Sequence, residues 1–223
     1  MRRLVVLLLL SAGPAWARDP YFRRAIPVSL DASADKNWEF QIRPGFSVPR
    51  GSLADVAKNS ATLHASVERK VNDTLSIGLE AGDNLGHRYE GLDATAGRFT
   101  SNVRIGIFQL SPMFKLGFDI PLGYRSLRPY FVTGAGLYVE NRNAGTITLL
   151  PSGAQRRVEA SKARGNVGAN VGVGITFRPW IRVRLGGETR YHYYSQEDDL
   201  DGDTKKRDAV RYLTTAVVIS YLF

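Results

Sequence analysis

His192, Ser195 and Glu197 stand close together in the stretch RYHYYSQE. An imidazole, a hydroxyl and a carboxylate are the parts of a nucleophilic centre. Such a centre works only when the base and the nucleophile are within hydrogen-bond reach. The stretch reads as a strand, and residues an odd number apart on a strand point to opposite faces. His192 and Ser195 are separated in that way, so no catalytic residue is expected from this trio.

Just beyond it, EDDLDGD places Glu197, Asp199, Asp201 and Gly202 at the relative spacing of a calcium loop, with Asp208 at the last ligand position. Such loops begin on Asp and end on a bidentate Glu. Here the two ends are Glu and Asp, and Lys205, Lys206 and Arg207 lie within the loop. A solvated acidic loop is the expectation, and no metal or other cofactor is called for. A second set of charges is more regular. Glu39, Arg43, Glu68, Glu80, Arg104, Arg182, Arg184, Glu188 and Arg190 each fall on one face of an alternating segment, often beside glycine. A third set, Arg142, Arg156, Arg157, Lys162 and Arg164, gathers around a long polar connection. Arginine there suits phosphate chemistry, although charge on a loop is ordinary.

The elements that must carry these residues follow a period of two, the signature of strands. WEFQIRPGFSV sets Trp38, Phe40, Ile42, Pro44, Phe46 and Val48 against Glu39, Gln41, Arg43 and Ser47. Leu63, Ala65 and Val67 oppose His64, Ser66 and Glu68. Leu75, Ile77, Leu79 and Ala81 oppose Ser76, Gly78 and Glu80. Val103, Ile105 and Ile107 oppose Arg104 and Phe108, with a bulge expected at Ser111-Pro112 before Leu116 and Phe118. RPYFVTGAGLYVEN, then Val167 to Phe177, then Ile181 to Tyr193, and finally AVVISYLF complete eight strands. Long polar connections at 51–59, 84–98, 141–162 and 196–207 alternate with short turns at Asn72, at 121–123 and at Arg178-Pro179. That order predicts an all-β, up-and-down antiparallel sheet with every long loop at one end.

An eight-stranded barrel is apolar inside when soluble and polar inside when it spans a membrane. The polar face of this chain mixes Arg and Glu with glycine at mid-strand, which fits a narrow filled interior. The other face is Leu, Val, Ile and Phe, with Trp38, Phe177, Trp180, Tyr221 and Phe223 at the short-turn end. Phe46, Phe99, Tyr191 and Tyr193 lie toward the long-loop end. Two aromatic belts around an apolar band match a bilayer. The fold expected is an eight-stranded antiparallel up-and-down transmembrane β-barrel. Its lumen charges should pair, with Glu39 and Glu68 at the level of Arg182 and Arg184, and with Glu80 and Glu188 at the level of Arg104 and Arg190 further out. Unpaired charge in so tight a space is costly. A filled lumen is favoured on that ground over a narrow pore.

MRRLVVLLLLSAGPAWA carries two arginines, an apolar run and a small-residue ending, the pattern of an export signal removed after Ala17. Its apolar run is shorter than the roughly 20 residues a spanning helix needs. Residues 1–17 are therefore read as a signal peptide, 18–37 as a periplasmic leader and 38–223 as the barrel. The chain has no cysteine, which excludes disulfides and thiolate metal sites. Its net charge of +9 favours acidic surfaces, and for an exported chain no nucleic-acid partner is expected.

The signal, the eight-strand alternation, RPYFVTGAGLYV and the terminal VVISYLF together resemble the small outer-membrane β-barrels of Gram-negative-type bacteria, of the OmpA/OmpX and OmpW kind. The resemblance covers nearly all of the mature chain, and its motifs are architectural. It implies that Val217, Ile219, Tyr221 and Phe223 form the address read by the barrel assembly machinery. It implies an outer-membrane lipid and lipopolysaccharide environment, with Arg142, Arg156, Arg157, Lys162 and Arg164 as candidate lipopolysaccharide contacts. A monomer without the periplasmic peptidoglycan-binding domain of OmpA-like proteins is expected. The role it implies is structural or surface-interacting through four exposed loops, with a small-solute channel of the OmpW kind as the alternative. Lipid A deacylases, also small outer-membrane barrels, have a closer His-to-Ser spacing than His192 and Ser195 offer.

Overall fold

The structure, a computed structural model, describes residues 37–93, 97–123, 125–150, 152–198 and 206–223. The expected signal peptide and all of the leader except Asn37 lie outside the described residues, as does the acidic stretch 199–205. Eight long antiparallel strands form the body. They are β1 (Trp38–Arg50), β2 (Ser60–Lys70), β3 (Leu75–Arg88), β6 (Arg104–Gly117), β8 (Arg125–Arg142), β11 (Ser161–Trp180), β12 (Val183–Asp198) and β13 (Lys206–Leu222). Each pairs with its neighbour in sequence. β13 pairs with β1, and the β11–β8 ladder completes the ring. No edge of this barrel is left unpaired, which is the condition for placing a sheet in lipid.

Which face is which follows from exposure. Arg43 and Glu80 are 1% and 0% exposed, whereas Phe114 and Val173 are 54% and 61% exposed. The charged face is the interior and the apolar face is the exterior. An eight-stranded barrel leaves an interior just wide enough for side chains. β8 and β11 contain 18 and 20 residues, more than the roughly 9–11 needed to cross a bilayer. The ladder therefore continues beyond the membrane at the long-loop end.

That end holds the departures from the sequence pattern. Residues 51–59 contain a one-turn helix, α1 (Ser52–Val56). The second and third long connections are not irregular. They form β4 (Gly91–Asp93), β5 (Gly97–Ser101), β9 (Gly145–Leu150) and β10 (Gln155–Val158), joined in a second sheet of order β10-β9-β5-β4. Phe99 is buried in this sheet with its ring 4.9 Å from that of Tyr89, so it is not part of the lipid belt.

β6 alternates without interruption, and the bulge expected at Ser111-Pro112 is absent. The irregularity in its pairing with β3 lies between Asn84 and His87, where Gly86 takes a φ of 94°. Glycine meets that conformation without steric cost. The phase of β6 is also the reverse of the expected one over its first half. Ile105 and Ile107 point inward and Phe108 and Leu110 outward. At the short-turn end, β7 (Ile120–Leu122) forms a hairpin with the start of β8. The chain reverses at Ile181-Arg182 rather than at Arg178-Pro179. Asn72 Oδ1 accepts the backbone N–H groups of Thr74 at 2.9 Å and Leu75 at 2.8 Å, closing the β2–β3 turn. In the same turn a hydrogen bond from Lys70, reinforced by its charge, holds Asp73 below the ordinary carboxylate range.

The glycines of the inner face make room mainly for the adjacent strand. A Cβ on Gly82 would fall within the ring of His64, its direct neighbour on β2. Gly82→Ala is expected to push that ring aside and to lower unfolding free energy by about 1–3 kcal/mol. Urea unfolding of the barrel in lipid vesicles measures it, and an unchanged midpoint would contradict the close packing.

Candidate functional site

The lumen is built in layers, each made by inward positions of several strands. At the short-turn end Arg184 Nη1 lies 2.9 Å from Glu39 Oε2, and its Nη2 lies 3.4 Å from Asp119 Oδ1. Arg128 Nη1 holds the other oxygen of Asp119 at 3.0 Å. Above this, Lys115 Nζ is 2.6 Å from Glu68 Oε1 and 4.7 Å from the centre of the Tyr130 ring.

The middle layer is a ring of two arginines and two glutamates. Arg43 and Arg190 both reach Glu80 Oε2, Arg190 Nη1 at 2.6 Å. They share Glu188 Oε1 as well, Arg190 Nε at 2.6 Å and Arg43 Nη1 at 3.6 Å. The remaining oxygens are also used. Glu80 Oε1 lies 3.1 Å from His64 Nδ1 and 3.3 Å from Gln109 Nε2. Tyr130 Oη donates to Glu188 Oε2 at 2.8 Å. Each charge thus meets opposite charge and further hydrogen bonds, the arrangement that makes buried ions tolerable.

Toward the long-loop end the interior turns aromatic. His192 stacks on Tyr212 at 4.4 Å and lies 3.3 Å from Tyr138 Oη and 3.0 Å from Thr214 Oγ1. Tyr138 stacks on Tyr194 at 5.2 Å. These rings merge with Ile105, Ile107, Val210 and two residues from the first loop, Leu53 on α1 and Ala57 just after it. The first loop therefore lays apolar side chains over the charged layers.

Glu39, Arg43, Glu68, Glu80, Arg184, Glu188 and Arg190 all line this interior. Two other residues expected there do not. Arg104 is exposed at the start of β6, with its stem beside Gly86. The interior at its height is apolar, so it is Ile105 and Ile107 that turn inward. Arg182 is exposed in the turn before β12 and donates to Tyr221 Oη at 3.1 Å. Glu68 accordingly pairs with Lys115, and Glu80 with Arg43 and Arg190. The position of Lys115 is visible in the alternation of QLSPMFKLG once the phase follows Gln109 and Ser111. The same phase would have placed Gln109 in the lumen. His64 was already on the inward row.

Arg142 is exposed at the end of β8, Arg156 and Arg157 on β10, and Arg164 on the outer part of β11. They belong to strands rather than to a loop. The side chain of Lys162 lies outside the described residues, as do those of Glu197 and Asp208. His192 is buried in the lumen, and Ser195 occupies the opposite row of β12. Among the described residues, no group of three His, Cys, Asp or Glu side chains could hold a metal ion.

The sequence matches the outer membrane protein beta-barrel domain over residues 4–209. The chain belongs to this family. Its place is the bacterial outer membrane, and the closed eight-stranded ring is the family's architecture in this chain. It is similar to the neisserial surface protein A, NspA, at 14% identity and a TM-score of 0.51, over 83% of this chain and 97% of that one. OprG of Pseudomonas aeruginosa is 12% identical over 84% of this chain and 97% of its own, with a TM-score of 0.48. Ail of Yersinia pestis, in complex with the heparin analogue sucrose octasulfate, is 13% identical over 84% and 99%, with a TM-score of 0.46. No curated protein sequence matches.

For this barrel the middle ring sets the stability of the lumen. Glu80→Ala leaves Arg43 and Arg190 buried with only Glu188 between them, and should lower unfolding free energy by about 3–5 kcal/mol. Arg104→Gln should leave the urea midpoint in vesicles unchanged. Equal effects of the two substitutions would contradict the layered assignment.

Proposed function

We propose that this outer-membrane barrel is a non-enzymatic envelope protein whose lumen is closed and whose surface role is carried by its four long loops. The observation that carries this reading is the continuous filling of the interior. Paired charges rise from Glu39 to the Glu80–Glu188 ring, and the aromatic layer and Leu53 lie above them. A closed lumen leaves the exposed loops as the part that meets other molecules. The sheet made by the second and third loops supports this, since it presents Arg156 and Arg157 at its outermost strand. With Arg142 and Arg164, those guanidinium groups suit lipopolysaccharide phosphates. Burial of His192 and the opposite facing of Ser195 argue against lipid hydrolysis. The proposed course of the chain is a signal at 1–17, a periplasmic leader at 18–37 and a monomeric barrel from 38 onward. Val217, Ile219, Tyr221 and Phe223 all lie on the exposed apolar face, and the proposal makes that row the edge offered to the barrel assembly machinery.

Planar-bilayer conductance tests the closed lumen. The wild-type barrel should show no stable open state. Replacing Arg43 and Glu80 together by alanine, with Leu53→Ala, should produce one. A steady ohmic conductance in the wild type would overturn closure in favour of a narrow small-solute channel of the OmpW kind.

A further inference from the structure

Three arginines at the short-turn end are each held against an aromatic side chain of the outer face, two over a ring and one on a hydroxyl, and Arg211 over the Tyr193 ring at 5.9 Å is their counterpart toward the long-loop end. Arg69 sits opposite Trp38 in the β1–β2 ladder, its guanidinium carbon 5.9 Å from the indole centre. Arg125 lies 5.7 Å from the Phe177 ring across the β8–β11 ladder. Arg182 donates to Tyr221 Oη at 3.1 Å beside the β12–β13 ladder. All three arginines are exposed. Trp38, Phe177 and Tyr221 stand on the outward rows, where the apolar band ends.

A cation held against an aromatic side chain at the edge of the apolar band has a natural counterpart. Aromatic side chains settle at headgroup depth, and arginine keeps its stem on apolar surface while its charge stays at the polar boundary. The ring of Trp38 or Phe177 orients the guanidinium, the Tyr221 hydroxyl does so for Arg182, and the planar fork binds a phosphodiester through two parallel hydrogen bonds. Lysine has the charge but lacks the fork.

We propose that the short-turn rim carries three binding sites for anionic phospholipid headgroups, at Arg69–Trp38, Arg125–Phe177 and Arg182–Tyr221. In the outer membrane this rim meets the inner, phospholipid leaflet. The sites fall at three separate places around the ring, so that lipids held there form an ordered partial collar around the barrel. The inference rests on the outer-membrane placement of the barrel and is independent of whether its lumen conducts.

The test uses the folded barrel in nanodiscs of phosphatidylcholine with a minority of phosphatidylglycerol, and native mass spectrometry counts the lipids that stay bound. The wild type should retain up to about three phosphatidylglycerol molecules in preference to phosphatidylcholine, with the number falling as salt is raised. Each of Arg69→Gln, Arg125→Gln and Arg182→Gln should lower retention at one site about fivefold. The triple variant should lose the preference, and the triple Arg→Lys variant should recover it only in part. Arg50→Gln with Arg104→Gln, at the opposite end, should change nothing. Equal retention of the two lipids by the wild type would overturn the proposal without any variant. So would a preference that survives in a triple Gln variant still showing heat-modifiable gel migration, or one abolished by Arg50→Gln with Arg104→Gln.

Discussion

Lipid offers no partner to a backbone N–H or C=O, and the rest of this structure follows from that constraint. Eight strands must close on themselves, and the β11–β8 ladder does so over most of its length. Closing only eight strands makes a narrow lumen. The inward rows must then pack like a core, although they carry arginine, lysine and glutamate. Pairing is the solution found. Glu80 shows it most fully, with Arg43, Arg190, His64 and Gln109 converging on its two oxygens from β1, β12, β2 and β6.

The same narrowness explains how the polarity of the interior changes along the barrel axis. Within the bilayer the charged layers are tied strand to strand. At the long-loop end the barrel meets water and the inside becomes aromatic and aliphatic, a small core of the kind found in soluble proteins. Leu53 joins that core from α1. One-turn helices have little intrinsic stability, so the helix is held chiefly by what it covers.

Outside the membrane the ladder goes on where the bilayer no longer demands it. The β3–β6 and β8–β11 connections pair with each other through β5 and β9. Phe99 of that second sheet packs against Tyr89, which is bridged to Ala57 of the first loop. Two connections that are separate in sequence thus become one surface, with the arginines of β10 at its edge. At the opposite end, single guanidinium groups are set against belt aromatics, as Arg211 is against Tyr193 nearer the loops.

The alternation of the chain determined by itself that there are eight strands, which rows face lipid in most of them, and where the membrane belt lies at the short-turn end. A period of two is local, and a bilayer rewards it along the whole strand. Glu39, Arg43, Glu68, Glu80, Arg184, Glu188 and Arg190 were legible as inward residues for the same reason. Tertiary structure decided the rest. Ile105 and Ile107 look like lipid-facing residues until the aromatic layer beside them is seen, and Arg104 looks luminal until those isoleucines take the interior. The partners of Glu68 and Glu80 depend on strand stagger around a closed ring, and Arg182 depends on where the turn falls. The second sheet joins segments some fifty residues apart, and no local pattern records it. Alternation reports a side chain's face, whereas its height and its partner are set only when the ring closes.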